Sequence, residues 1–345
     1  MVHATVVRAH SHTAASPTPH QTQSRTIAAQ ADAICASLRR LGIDATLTGT
    51  PNRTTNRTTN NGQDASPDLA VIELDADAVT DPNWLREVAA LQQAGVPLIV
   101  RHHDVGVASD RFGLAATSSV VHAGTNLRGR RELIALGYTK VAVLPYTFDV
   151  TTEFVPATSR HDVRAELNLD DATILFLQPT RISERKNLAG SIRYLQQLAR
   201  ILPPQRLHFW VTGPVDPTFQ TTLNKLLPHV PVATTIHDVG DIASAYAASD
   251  AVLYPTTRER FGSVIFEAIQ ARKPCIVGGF SALGEIEAQG IQLFALDQPS
   301  ELVKFLAKPA GRLHDVNQRR ATLAFGPDVF DAALHATIQT LGIAT

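Results

Sequence analysis

Cysteine is nearly absent from this 345-residue chain, which has only Cys35 and Cys275. They fall in different halves with no metal-like spacing, which excludes a disulfide framework or zinc site and points to a reducing cytosol. A dominant charge is also missing. The 31 Lys and Arg nearly balance the 32 Asp and Glu, leaving a formal net charge of −1. Nucleic-acid-binding domains are as a rule strongly basic, so nucleic acid is not an expected partner. No apolar run approaches the roughly 18 residues of a membrane-spanning helix. The opening MVHATVVRAHSH lacks a basic stretch followed by a long apolar core, and reads as a strand rather than a signal peptide. Without a secretory signal, the sequons at Asn52 and Asn56 read as loop composition.

What remains is an ordinary globular composition, 44% hydrophobic and 18% charged, long enough for two domains at about 150 residues each. Short β-branched runs alternate with helical patterns, the mark of α/β domains with parallel sheets. Strands are expected at Ala4–Arg8, Ala45–Thr48, Leu69–Leu74, Leu98–Arg101, Ser119–His122 and Val141–Leu144, with helices over Thr22–Leu41, Pro82–Ala94 and Asn126–Leu136. The stretch Gly49–Pro67, with NRTTNRTTNN, has no apolar periodicity and reads as a surface loop. A second series begins at Thr173–Leu177 and continues with strands at Leu207–Thr212, Pro231–Thr235, Ala251–Tyr254 and Pro274–Val277. This predicts a first domain over 1–150, a polar linker over 151–171, a second domain over 172–326 and a final helix within 327–345.

Two segments concentrate chemistry. TRISERKN follows the buried run LFLQP and puts Arg181 and Lys186 at a strand's carboxyl end, where doubly wound sheets bind ligands. Arginine binds a diphosphate bidentately and lysine supplies a point charge. A solvated basic turn neutralised by Glu184 is the plainer alternative. In YPTTRERFGSVIFEA, a strand runs into a loop carrying Glu259, and a helix starts near Gly262-Ser263 with Glu267 one turn in. Free amides of a first helical turn suit a phosphate, and carboxylates accept hydrogen bonds from sugar or ribose hydroxyls. No DxD-like ligand set and no nucleophile–base pair stand out.

Together these segments resemble retaining glycosyltransferases of the GT-B fold, specifically glycosyltransferase family 4, over about Thr173–Gly290. Arg181 and Lys186 match the family's Arg-x4-Lys clamp. Glu259, Phe261-Gly262 and Glu267 match its Glu-x7-Glu element. The resemblance implies two Rossmann-like domains facing each other across a cleft, the last helix returning to the first. It implies transfer of a sugar from a nucleoside diphosphate sugar to a hydroxyl acceptor, with no metal or resident cofactor. Glu267 would bind the donor ribose, Glu259 the transferred sugar, and the Ser263 and Val264 amides the phosphate. Gly213 would lie near the nucleotide. RHHDVG would bring His103 to the donor sugar, with His102 as the alternative that strand register leaves open. Three departures stand out: Arg260 replaces the family's Gly, AHSHTAASPTPHQ replaces its Gly-rich first loop, and Tyr146-Thr147-Phe148 precedes Asp149 in place of Asn-Gly. Arg128, Arg130 and Arg131, beside Glu132, form either a solvated face or a weak peripheral contact with an anionic membrane. A nucleotide-sugar epimerase or hydrolase, or a non-catalytic binding module, are the rival functions.

Overall fold

The computed structural model describes residues 2–8, 21–48, 67–74, 82–103, 105, 119–152, 154–237, 240–259, 261–308 and 311–344. Asp104, Arg260, residues 9–20 of the first-strand loop, and residues 49–66, which carry both sequons, lie outside that set. The chain divides into two units, one of residues Met1–Thr147 with Phe325–Thr345, the other of Phe148–Ala324.

In the first unit, β1 (His3–Arg8), β2 (Asp44–Thr48), β3 (Leu69–Leu74), β4 (Leu98–His102), β5 (Val120–Gly124) and β6 (Val141–Val143) form a parallel sheet in the order β2-β1-β3-β4-β5-β6. Every residue of β3 and β4 is buried, as expected where helices cover both faces of parallel strands. The last helix, Pro327–Gln339, belongs to this unit. Its spacing of Phe330, Leu334 and Ile338 puts three apolar side chains on one face. They join Ile34 and Leu38 of helix Gln21–Arg40 in one core with Val6 and Val71. Arg40 closes the edge through a two-pronged pair with Asp331, at 2.6 and 2.7 Å.

In the second unit, β7 (Ile174–Gln178), β8 (Leu207–Val211), β9 (Ala233–Ile236), β10 (Ala251–Tyr254), β11 (Cys275–Val277) and β12 (Phe294–Ala295) are also all parallel, ordered β12-β11-β10-β7-β8-β9. From β7 the sheet grows one way through β8 and β9. It then grows the other way from β10, so the strand order reverses between β7 and β10. Such a reversal opens a crevice at the strands' carboxyl ends.

The stretch 151–171, expected as a linker, is part of this second unit. It contains helix Arg160–Glu166, whose N-cap Ser159 accepts from the Asp162 amide. The buried Arg164 donates to the carbonyls of Ala248, Asp170 and Thr173 and to Asp250. An arginine anchors this helix, so no hydrophobic pattern announces it. Among the described residues, no helix is long and apolar enough to cross a membrane.

Candidate functional site

The loops after β7 and β10 flank the reversal, and backbone ties hold them together. Asn187 adopts a left-handed conformation (φ 52°, ψ 52°), which asparagine tolerates better than most residues. Its side chain accepts from the Gly190 amide at 3.1 Å, capping helix Leu188–Leu198, and donates to Pro255 O at 2.9 Å. The Thr257 amide and the Thr256 hydroxyl both donate to Arg185 O, each at 3.1 Å. These bonds fix Arg185 and Lys186 beside residues 255–259.

Lys186 Nζ therefore lies 2.5 Å from Glu259 Oε2, with Arg185 Nη1 at 3.4 Å from the same oxygen. The ammonium is also 5.3 Å from the centre of the Tyr254 ring. The pair is mostly sequestered, with 11% of the Lys186 side chain and 15% of Glu259 exposed. Burial pulls the Lys186 ammonium below its usual range, against the opposing pull of Glu259. For Glu259, burial acts upward, but Lys186, Arg185 and the donating Tyr254 hydroxyl outweigh it and hold the carboxyl below its ordinary value. Glu267 shifts the other way. Burial raises it, although the Tyr246 hydroxyl donates to Oε2 at 2.7 Å and Lys186 attracts it. Lys186 thus couples electrostatically to both acids.

Helix Ser263–Gln270 begins at Gly262, whose φ of 96° is in the left-handed region and which provides no side-chain cap. A Cβ at Gly262 would also come within 3.0 Å of the Phe280 ring. Ser263 is half-buried and Val264 buried. The Phe261 ring is buried in a stack with Phe148 and Phe266, so its side chain serves packing. Gly213 has a structural cause: a Cβ there would lie 2.3 Å from the Arg181 amide nitrogen. Its bareness lets the loops after β8 and β7 touch. Arg181 is half-buried on the same loop as Lys186. Burial lowers its pKa, Asp216 opposes this and Arg185 adds to it.

His103 belongs to a second cluster, in the first unit. Its Nε2 lies 2.6 Å from Glu73 Oε2 and its Nδ1 2.6 Å from the Tyr146 hydroxyl, so both ring nitrogens are engaged. Neither the His103 nor the Glu73 side chain is exposed. Arg101 bonds Glu73, Gln30 and the carbonyls of Leu144 and Pro145. His102 points elsewhere, its Nε2 2.9 Å from His122 Nδ1. Burial, aided by His122 and His103, pushes His102 down to about 3, and burial pushes His122 down to about 4.

The sequence pointed to Lys186, Glu259 and Glu267, but not to Arg185, Tyr254, Tyr246, Glu73 or Arg101. Glu73 and Arg101 left one signal, each being a charged residue that follows an apolar run within its strand, in LAVIEL and LIVRH.

Two parallel six-stranded sheets covered by helices, with the strand order of the second reversing between β7 and β10, have the GT-B fold of glycosyltransferases. Residues 159–308, which lie within the second unit, match the family model of glycosyl transferases group 1. The mannosylglucosylglycerate synthase of Thermotoga maritima is 25% identical over 199 residues, 52% of this chain and 47% of that protein. The match thus spans about half the length of that curated relative. Among solved structures, Anabaena Alr3699/HepE in complex with UDP and glucose matches at a TM-score of 0.66 and 16% identity, covering 99% of this chain and 100% of that one. A sucrose-phosphate synthase from Thermosynechococcus elongatus matches at 0.67 and 13%, covering 100% of both chains. At these identities the structural likeness speaks for the fold alone.

Proposed function

We propose that this protein transfers a sugar from a nucleoside diphosphate sugar to a hydroxyl acceptor, with retention of anomeric configuration, in the reducing cytosol. The observation that carries the proposal is Lys186 paired with Glu259 where the strand order reverses, with Glu267 on the helix that starts uncapped at Gly262. Cations and helix amides suit a diphosphate, and carboxylates suit vicinal hydroxyls. In this proposal Arg181, Lys186 and the amides of Ser263 and Val264 stabilise charge developing on the departing diphosphate. Glu267 accepts from the ribose and Glu259 from the transferred sugar. The departing phosphate takes the acceptor's proton. A diphosphate beside Lys186 would also offset the burial that disfavours its charged form.

The family match and the sugar-transferring or UDP-bound neighbours support this proposal. An epimerase or hydrolase would need acid–base groups beside the sugar. Among the described residues, His102 and His103 are buried and already hydrogen-bonded, which disfavours that rival. A thermal-shift screen of nucleotide sugars, followed by product analysis with candidate acceptors, tests the proposal. One donor should raise the melting temperature by mass action, and turnover should require an acceptor and preserve the anomeric configuration. A sugar altered without acceptor would identify an epimerase, and binding with no turnover a non-catalytic module.

A further inference from the structure

Helix Leu127–Ala135 presents apolar residues on two opposite sides. Gly129 and Leu133 are buried and seat it on the first unit, and Asn126 caps its start by accepting from the Gly129 amide at 2.7 Å. At 3.6 residues per turn, Leu127, Arg130, Arg131 and Ile134 share a stripe pointing away from that seat. Leu127 is 56% exposed and Ile134 46%; Leu136, which closes the helix and is 45% exposed, falls on a different side. Eight large hydrophobic residues are exposed among the described ones, and these are three of the eight. Arg130 and Arg131 are exposed in the same stripe. Arg128 lies to the side, paired with Glu132 at 2.7 Å.

We infer that this helix is a docking surface for an anionic lipid membrane. Leu127 and Ile134 enter the boundary between headgroups and acyl chains, and Arg130 and Arg131 engage lipid phosphates. Long arginine stems beside aliphatic residues suit that boundary, where the apolar part is buried and the charge stays among headgroups. A second copy of the chain fits less well, because it would oppose two stripes of the same positive sign. A partner protein also fits less well, because interface centres are enriched in aromatic residues and this stripe has none. The whole chain carries a net charge of −1, so the attraction is local to this face. The inference does not depend on the sugar-transfer proposal.

Co-sedimentation with vesicles tests it, using phosphatidylcholine alone and phosphatidylcholine mixed with phosphatidylglycerol. The protein should sediment with the mixed vesicles, release as salt is raised, and ignore phosphatidylcholine alone. An arginine near an anionic surface is worth about fivefold in partitioning, so Arg130→Ser with Arg131→Ser should weaken binding about 25-fold. Leu127→Ser with Ile134→Ser should weaken it as well. Both pairs are exposed, so melting temperatures should stay unchanged. No binding to the mixed vesicles at low salt would overturn the inference. So would binding that both double variants leave intact, which places the contact elsewhere. Concentration-dependent dimerisation abolished by Leu127→Ser with Ile134→Ser would make the face a protein interface instead.

Discussion

Each unit gathers buried charge near the carboxyl edge of its sheet, and the two clusters differ in their access to water. In the first unit Glu73, Arg101 and His103 have no exposed side-chain surface, and backbone carbonyls take up much of the Arg101 guanidinium. In the second, Lys186 and Glu259 keep a small exposed edge, and Arg185 is 34% exposed. A sealed ionic cluster acts on the fold. A cluster with an open edge can exchange a partner for a ligand's phosphate or hydroxyl.

The largest effect that would sharpen this contrast is on stability. Arg101→Met leaves the Glu73 carboxylate buried without its main cation, and breaking such a pair costs about 3–5 kcal/mol. Denaturant titration should show that loss, with nucleotide affinity of the folded variant unchanged. A variant of normal stability that lost only turnover would break the contrast.

Acid comes next. His102 and His122 titrate near 3 and 4 in the folded protein, below the roughly 6.5 of a free imidazole. The unfolded chain therefore binds more protons between those values, and stability falls as pH drops below about 6.5. One unit below, each histidine removes about 1.4 kcal/mol. Glu73, also lowered when folded, adds a loss of the same sign at more acid pH. Glu267 is raised when folded, so its contribution is present in acid and fades as pH rises through its folded value. Melting temperature against pH should flatten between about 4 and 6.5 in His122→Asn. An unchanged slope would mean the pair is not neutral when folded.

At the open cluster the effects are kinetic. Lys186→Ala should lower turnover at least tenfold, the equivalent of about 1.4 kcal/mol of transition-state stabilisation. Unchanged kinetics would reduce the Lys186–Glu259 pair to a structural tie. The finest test separates the two acids. Glu267→Gln should weaken binding of the bare nucleoside diphosphate. Glu259→Gln should leave that affinity nearly unchanged and lower turnover of the full donor. Calorimetry beside steady-state kinetics decides, and equal weakening by both would invalidate the assignment.

Much of the fold was legible because parallel strands are short apolar runs, and β3 and β10 fall where composition puts them. The loops carrying Lys186 and Glu259 were legible from motif and chain order. Their direct contact was not, since it joins residues 73 apart and depends on β7 lying next to β10. The sealed cluster was still less visible. Gln30 pairs both its amide groups with the backbone of Thr147, 117 residues away, and no local pattern encodes that. Helix Arg160–Glu166 escaped because an arginine anchors it, and β12 because two residues carry no periodicity.

The last helix makes the first unit discontinuous in sequence. Phe330, Leu334 and Ile338 complete a core begun by Ala4 and Val6, whereas Phe148–Ala324 is one unbroken stretch. In genetic terms, the second unit is an insertion into the first. During synthesis, the first core waits for its final segment until the whole second unit has been made. A stop codon near Gly326 would spare every strand of both sheets, yet remove those three side chains from the first core.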